Sequence, residues 1–361
     1  MFKKVSKWRL VLYMFSSLLL IMITSAGLLF LTPLGNQWRL LIADTLITTQ
    51  HRHWAAYVIG KEGLASRVSL YQKKFDQMGE EEQRHVFGSS IPSKQSGPPI
   101  PSEQLGPPDQ TVRVEPIERA SFKGYILTIP DPKKIRLVVP NRVGKGEKVS
   151  SMVNRTGAIA GVNAGGFADP NWKGNGFVPI GLVMSGGQFF YNNGDQNARQ
   201  HIVGIDLEGN MIAGKYSIKE LVDLQVQEAV TFSPRFIVNG KGLVKNQADG
   251  WGIAPRTAMA QKKDGTILFI VIDGRQAHSI GASLYDIQEI LLEHGAVIAA
   301  NLDGGSSSVL VYDNQIVNSP ASKYGERYIP TAWLVFEDAS TPEIANIWKG
   351  LDLKKLDAAK W

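Results

Sequence analysis

Four short segments of this 361-residue chain join charged or amide side chains to glycines beside apolar runs. In Gly161-Val162-Asn163-Ala164-Gly165-Gly166-Phe167 an apolar run leads into an asparagine and two glycines. Glycine here allows positive φ and lets backbone N–H groups approach a ligand, or it simply makes a tight turn. In Ala254-Pro255-Arg256-Thr257-Ala258-Met259-Ala260 an arginine stands at the mouth of an apolar strand. Its planar fork suits phosphate or carboxylate oxygens, or a structural ion pair. Val271-Ile272-Asp273-Gly274-Arg275, followed by His278 and Gly281, reads as a ligand-binding loop or as an Asp-Gly turn. In the fourth segment, Ala299 to Ser308, Asn301 and Asp303 stand two apart and so share a side if the strand continues. A carboxylate and an amide beside glycine N–H groups would make a sugar or phosphate site; the plainer alternative is a hairpin turn.

Several common chemistries are absent. There is no cysteine, hence no disulfide, thiolate metal site or cysteine nucleophile. No GxxxxGK[ST], GxSxG or HExxH occurs, and Gly144-Lys145-Gly146 lacks P-loop spacing and reads as a loop. The six histidines are scattered, which argues against a histidine-cluster zinc site. His51 and His53, next to Trp54, stand at i, i+2 and do not share a helix face, so a solvated or interfacial surface is expected there. Of the net charge of +6, Lys3, Lys4, Lys7 and Arg9 supply four, which leaves the body nearly neutral and gives no sign of a nucleic-acid partner.

The elements that must position these residues follow from the hydrophobic pattern. Val11 to Leu31 is uncharged and long enough to span a bilayer. The basic cluster before it places the N-terminus in the cytoplasm and the rest outside, giving a single-pass protein of the cell membrane. A cleaved signal peptide has a shorter apolar stretch, and here the small-residue triplet Thr24-Ser25-Ala26 lies inside it, so an uncleaved anchor is expected. Export without cysteine fits a bacterial surface. The layout reads as a basic tip and anchor (1–35), a helical stalk or cap (36–88), a Pro-rich linker (89–110), a main domain (111–340) and a helical tail (341–361). The stalk carries Leu64, Val68, Tyr71 and Phe75 at helical spacing, and the linker holds a third of the eighteen prolines. The main domain has a dozen short β-rich runs separated by turn dipeptides and one clear helix, Leu284 to His294. This predicts an α+β fold with a mixed, mainly antiparallel sheet and packed helices.

The order of Asn163-Ala164-Gly165-Gly166-Phe167, Pro255-Arg256-Thr257-Ala258, Asp273-Gly274-Arg275, Asn301-Leu302-Asp303-Gly304-Gly305-Ser306 and Glu326-Arg327 … Pro330-Thr331 resembles the phosphodiester glycosidase family. The resemblance covers about residues 150–337, and Asn-Leu-Asp-Gly-Gly-Ser is its most specific part. Ser306 stands where that family usually has a third glycine. The resemblance implies cleavage between a sugar's anomeric carbon and a phosphodiester oxygen. The leaving phosphate is a weak base, so it needs charge stabilisation more than a proton.

On that footing Asp303 is expected to be nucleophile or general base, with Glu326 or Asp273 as a second carboxylate oriented by Arg327. Arg256 and Arg275 would clamp phosphate, Asn163 and Asn301 would bind sugar or phosphate, and Gly165, Gly166, Gly304 and Gly305 would present backbone donors beside Ser306. The implied partner is a glycosyl-phosphate glycan or small molecule of envelope or exopolysaccharide material, and no cofactor is required. Two rivals stay open: a non-catalytic surface module binding anionic glycans, and a hydrolase holding a divalent cation through Asp273, Asp303, Glu326 and His278.

Overall fold

Side-chain alternation along Lys123–Ile129 shows how the main domain is built: Leu127 and Ile129 enter one core while Ile126 enters another. The computed structural model describes residues 7–49, 51–84, 111–170, 174–195, 197–340, 342–356 and 358; the expected linker at 89–110 lies outside them. Two compact units divide the chain, 1–68 and 69–361.

In the first unit, α1 (Lys7–Leu31) contains a 21-residue stretch, Val11–Leu31, with mean hydropathy 2.2, long and apolar enough to cross a membrane or to serve as a signal sequence. Thr32 caps α2 (Pro33–Ile47) by accepting from Gly35 N–H, and Pro33 starts the helix where no donor is needed. A 3-10 turn, Arg52–Trp54, leads into the next helix, and His51 stacks on Trp54 with ring centroids 4.4 Å apart. α3 (Ala55–Glu80) is kinked at Gly60, whose φ is +78. Asp44 and Arg67 form a bidentate pair at 2.7 and 2.6 Å.

In the second unit all the strand pairings among the described residues are antiparallel, in three sheets. The largest runs, edge to edge, Arg113–Glu118, Lys123–Ile129, Ile267–Ile272, Arg256–Lys262, Ala296–Asn301, Arg235–Val238 and Lys241–Gly242. A second consists of Gln315–Ile316, Leu310–Tyr312, Ala160–Asn163, Ala332–Val335 and Ile135–Val138. The third consists of Gln188–Asn192, Leu182–Ser185, Val226–Thr231, Gln200–Asp206 and Met211–Tyr216. One core takes side chains from all three, among them Phe269, Trp333 and Val203. Each outer face has its own smaller core and its own helix: α4 (Val149–Thr156) on the second sheet, α5 (Ile218–Asp223) on the third, α6 (Leu284–Glu293) on the first. Ser283 and Asp286 form a capping box on α6, and Gly295 follows it at φ +81.

Two expectations are revised. The stalk does not end as a separate piece: residues 69–84 belong to the main unit. Tyr71, Phe75 and Met78 recur on one face of α3, and Tyr71 and Phe75 hold the ring of Trp251, with centroids 4.1 and 4.8 Å away. Buried Arg235 ties the chain there by donating to the carbonyls of Met78, Glu81 and Ala213. The tail after 341 is irregular rather than helical, with a 3-10 turn at Leu353–Lys355 among its described residues. It is anchored by Trp348, buried, whose indole N–H donates to Phe177 O at 3.1 Å.

Candidate active site

Strand ends from two sheets meet around Asp303. The strand Ala296–Asn301 stays extended into Leu302, whose N–H donates to Thr257 O at 2.9 Å, and Asp303 N–H then donates to Ala164 O at 2.9 Å. Asn163, at the end of its own strand, closes the junction. Its Nδ2 donates to Asp303 O (2.5 Å), and its Oδ1 accepts from Thr257 Oγ1 (2.9 Å) and Val309 N–H (3.0 Å). With both acceptor positions of its oxygen filled, Asn163 is a staple that fixes the Asp303 backbone, not the free sugar ligand expected of it.

The glycines serve close packing more than ligand approach. A Cβ on Gly165 would stand 3.1 Å from Val230 Cβ, one on Gly166 3.2 Å from the Phe232 ring, and one on Gly304 3.0 Å from Pro255 O. Neither Gly165 nor Gly166 has positive φ; Gly305 does, at +63. Gly165 N–H donates to Thr331 Oγ1, Gly305 N–H to Pro255 O, and Gly304 N–H to the Asp303 carboxylate. Of these four donors, only Gly166 has no such partner among the described residues. Ser306, half-buried, lies in the 3-10 turn Gly305–Ser307.

Asp303 is half-buried, and desolvation of its carboxyl pushes the pKa up to about 6. A hydrogen bond from Ser307, the charge of Arg327 and the Gly304 N–H pull it down; the nearby Asp169 charge pushes it up. Arg327 donates to Asp169 Oδ2 at 2.7 Å and lies 4.8 Å from the centre of the Phe167 ring. Asp169 and Ser307 were not singled out in the sequence. Asp169 sits just past the glycine motif, before Pro170, and reads as turn punctuation, while Ser307 is one of three consecutive serines.

The other expected residues divide sharply. Arg275, at φ +59, places its guanidinium against the Gly305 turn, 3.4 Å from where a Cβ on Gly305 would lie. Among the described residues the guanidinium has no hydrogen-bond or ion-pair partner; the residue is exposed, and partial desolvation of its head lowers the pKa. Asn301 is 6% exposed and its Oδ1 has no partner, while its Nδ2 reaches Ser233 O at 3.4 Å.

Arg256 is 4% exposed and donates to Ala282 O (3.2 Å), Trp251 O (2.6 Å) and Gly252 O (3.0 Å), so it is neither a phosphate clamp nor half of an ion pair. Burial and then the nearby Arg275 charge bring its pKa down to about 10, which leaves it cationic at neutral pH. Glu326 accepts from Ser150 N–H (2.8 Å) and Ser150 Oγ (2.5 Å), holding the first turn of α4. Asp273 accepts from Asn318 Nδ2 and Ser319 N–H, both at 2.9 Å, and faces His278 Nε2 at 3.3 Å. Neither is placed as a second catalytic carboxylate.

Asp273, Asp303, Glu326 and His278 do not converge, and no group of three or more metal-ligating side chains occurs among the described residues. A separate cleft of about 520 Å³ is lined by Arg136, Glu228 and Glu337, whose charges are paired with one another and with Lys134.

An antiparallel α+β scaffold carrying this loop constellation defines a class, and residues 156–336, half of the chain, match the model of the phosphodiester glycosidase family. The chain belongs to that family. It is 28% identical over 208 residues to the SPbeta prophage-derived uncharacterized protein YomE of Bacillus subtilis (strain 168), covering 54% of this chain and 30% of the relative. It is 25% identical over 258 residues to N-acetylglucosamine-1-phosphodiester alpha-N-acetylglucosaminidase of Mus musculus, covering 64% and 48%. The chain thus spans less than half the length of either relative. The zebrafish N-acetylglucosamine-1-phosphodiester alpha-N-acetylglucosaminidase catalytic domain shares the fold, with a TM-score of 0.52 and 22% identity over 63% of this chain and 82% of that one.

Proposed function

We propose that this protein hydrolyses the bond between a sugar's anomeric carbon and a phosphodiester oxygen, in envelope or exopolysaccharide material outside the cell. The observation that carries the reading is the pairing of a desolvated Asp303 carboxyl, its pKa raised to about 6, with a partnerless Arg275 over the adjoining Gly304-Gly305 turn. At neutral pH Asp303 is a carboxylate. It either takes a proton from the attacking water or attacks the anomeric carbon itself, and in that case water then cleaves the glycosyl ester to release the sugar and restore the carboxylate. The C–O bond to phosphate breaks, its electron pair leaves with the phosphate monoester, and Arg275 stabilises that charge. Arg327 holds Asp169 as the second carboxylate, and Asn301 Oδ1 accepts from a sugar hydroxyl. The name of the mouse relative supports a glycosyl-1-phosphodiester substrate.

In this reading α1 is an uncleaved anchor with the basic tip in the cytoplasm. The test is release of reducing sugar from UDP-N-acetylglucosamine or methyl N-acetylglucosaminyl-1-phosphate by the full chain in detergent. Turnover by wild type, and its loss by about 10³-fold in Asp303→Asn, is expected. Wild-type binding without turnover would make the protein a glycan-binding module instead.

A further inference from the structure

Next to the Asp303 site the surface carries cations that nothing in the described structure neutralises. Lys145 Nζ lies 4.1 Å and Lys148 Nζ 5.6 Å from the centre of the Tyr328 ring. The platform beneath them is built, not loose. Gly146 N–H donates to Asn175 O (2.9 Å), Asn175 Nδ2 donates to Gly144 O (2.6 Å), and Glu147 and Ile329 exchange two backbone bonds at 3.0 Å. Gly176 has φ +75, and a Cβ there would strike Tyr328 O at 2.2 Å, so only glycine lets the two loops close.

The platform is continuous with the site. Tyr328 follows Arg327, which holds Asp169, and Asp169 Oδ1 accepts from Gly174 N–H at 2.8 Å at the start of the same loop. One turn upstream, Gly325 N–H donates to Ser322 O, and the tip presents exposed Lys323 and Tyr324, the latter 93% exposed. The local carboxylates are already engaged: Glu147 by Arg155 (2.9 Å), Asp169 by Arg327, Glu326 by Ser150. Among the described residues Lys145, Lys148 and Lys323 have no ion-pair partner.

We propose that Lys145, Lys148 and Tyr328, with Lys323 and Tyr324 at the adjoining turn, form a subsite for a polymeric glycan bearing repeated phosphate diesters, one of whose linkages enters the Asp303 site. The inference rests on the glycosidase reading and narrows its substrate class. A single reacting phosphate is served by Arg275, and cations farther along the surface gain nothing from it. A chain with a phosphate at every repeat meets them in turn, while the exposed Tyr324 ring offers an apolar face to an intervening sugar. Ammonium groups half or fully open to water act through long-range attraction, so the contribution falls with ionic strength.

The experiment compares kcat/KM of the full chain on poly(N-acetylglucosamine 1-phosphate) and on methyl N-acetylglucosaminyl-1-phosphate, in 50 and 300 mM salt. The subsite predicts that Lys145→Glu/Lys148→Glu lowers the polymer-to-monomer ratio at least tenfold, that the wild-type ratio falls with salt, and that Tyr324→Ala lowers it severalfold. Tyr324 is almost free of protein contacts, so its variant keeps the test clear of misfolding. Ratios within twofold of wild type in both variants overturn the proposal. So does an unchanged ratio with lost retention on phosphatidylglycerol vesicles, which would assign the patch to a membrane surface. If wild type turns over neither substrate, the glycosidase reading fails on its own and polymer binding by calorimetry reads the patch: binding lost in the double variant supports it, and equal binding overturns it.

Discussion

Arg256 opens one strand and Arg275 lies in the loop past the end of its neighbour, close enough that the charge of one lowers the pKa of the other, yet they live in opposite circumstances. The region behind Arg256 is saturated. Its guanidinium donates to three backbone carbonyls, two of them on Trp251 and Gly252 where the end of α3 packs, and Arg235 does the same for Met78, Glu81 and Ala213. The region in front of Arg275 is not. There a fork without a partner and the Asp303 carboxyl lie around one turn, and the Asn301 oxygen has no donor. Charge that is satisfied internally builds the scaffold; charge left wanting is available to a ligand.

That contrast can be broken most forcefully at Asp303. Asp303→Asn is expected to reduce kcat by about 10³-fold while raising stability. The sign follows from the raised folded-state pKa: the protonated carboxyl is the form that folding favours, so ionisation as pH rises through about 6 weakens the fold. Thermal melts should show the variant gaining on wild type between about pH 4 and 6 and levelling off above that, by on the order of 1–3 kcal/mol in total. The same pKa should appear as an acid limb near pH 6 in kcat/KM, with activity rising as Asp303 deprotonates. A fall across that range would make Asp303 a general acid.

On the saturated side, Arg235→Met leaves three carbonyls without a donor and should cost about 3 kcal/mol in urea unfolding. A chain starting at residue 111 should be similarly weakened, because it lacks the segment that Arg235 and Trp251 grip. Arg275→Ala should lower kcat/KM by about 10- to 100-fold with under about 0.5 kcal/mol change in stability, since no protein partner is lost. The smallest effect belongs to Ser307→Ala, which removes a hydrogen bond that favours the Asp303 carboxylate. It should move the acid limb upward by a fraction of a pH unit to about one unit.

Much of the scaffold could be read from pattern. The runs around Ile267–Ile272 and Ala296–Asn301 are apolar and short, and the stripe of α6 ends at a glycine, so strands and helix announce themselves locally. α4 was not anticipated, since Val149–Thr156 is short and only three of its residues are buried. The Leu64-Val68-Tyr71-Phe75 periodicity was visible, but a stripe does not name the surface it meets, and here its last turns meet Trp251. At the site, Asp303 and Arg275 stood out by type and spacing. Asn163, Arg256, Glu326 and Asp273 stood out equally, and for them the structure supplies internal partners instead.

The amino-acid order by itself determined the alternation of strands, the apolar N-terminal helix and the loop in which Asp303 sits, because each depends on neighbours within a few residues. Which of its charges are neutralised was decided only by the tertiary structure. Asn163 reaches Asp303 across 140 residues, Glu326 reaches Ser150 across 176 and Asn318 reaches Asp273 across 45. Desolvation and pairing act through space, and they separate a side chain that holds the fold from one left to act on a substrate.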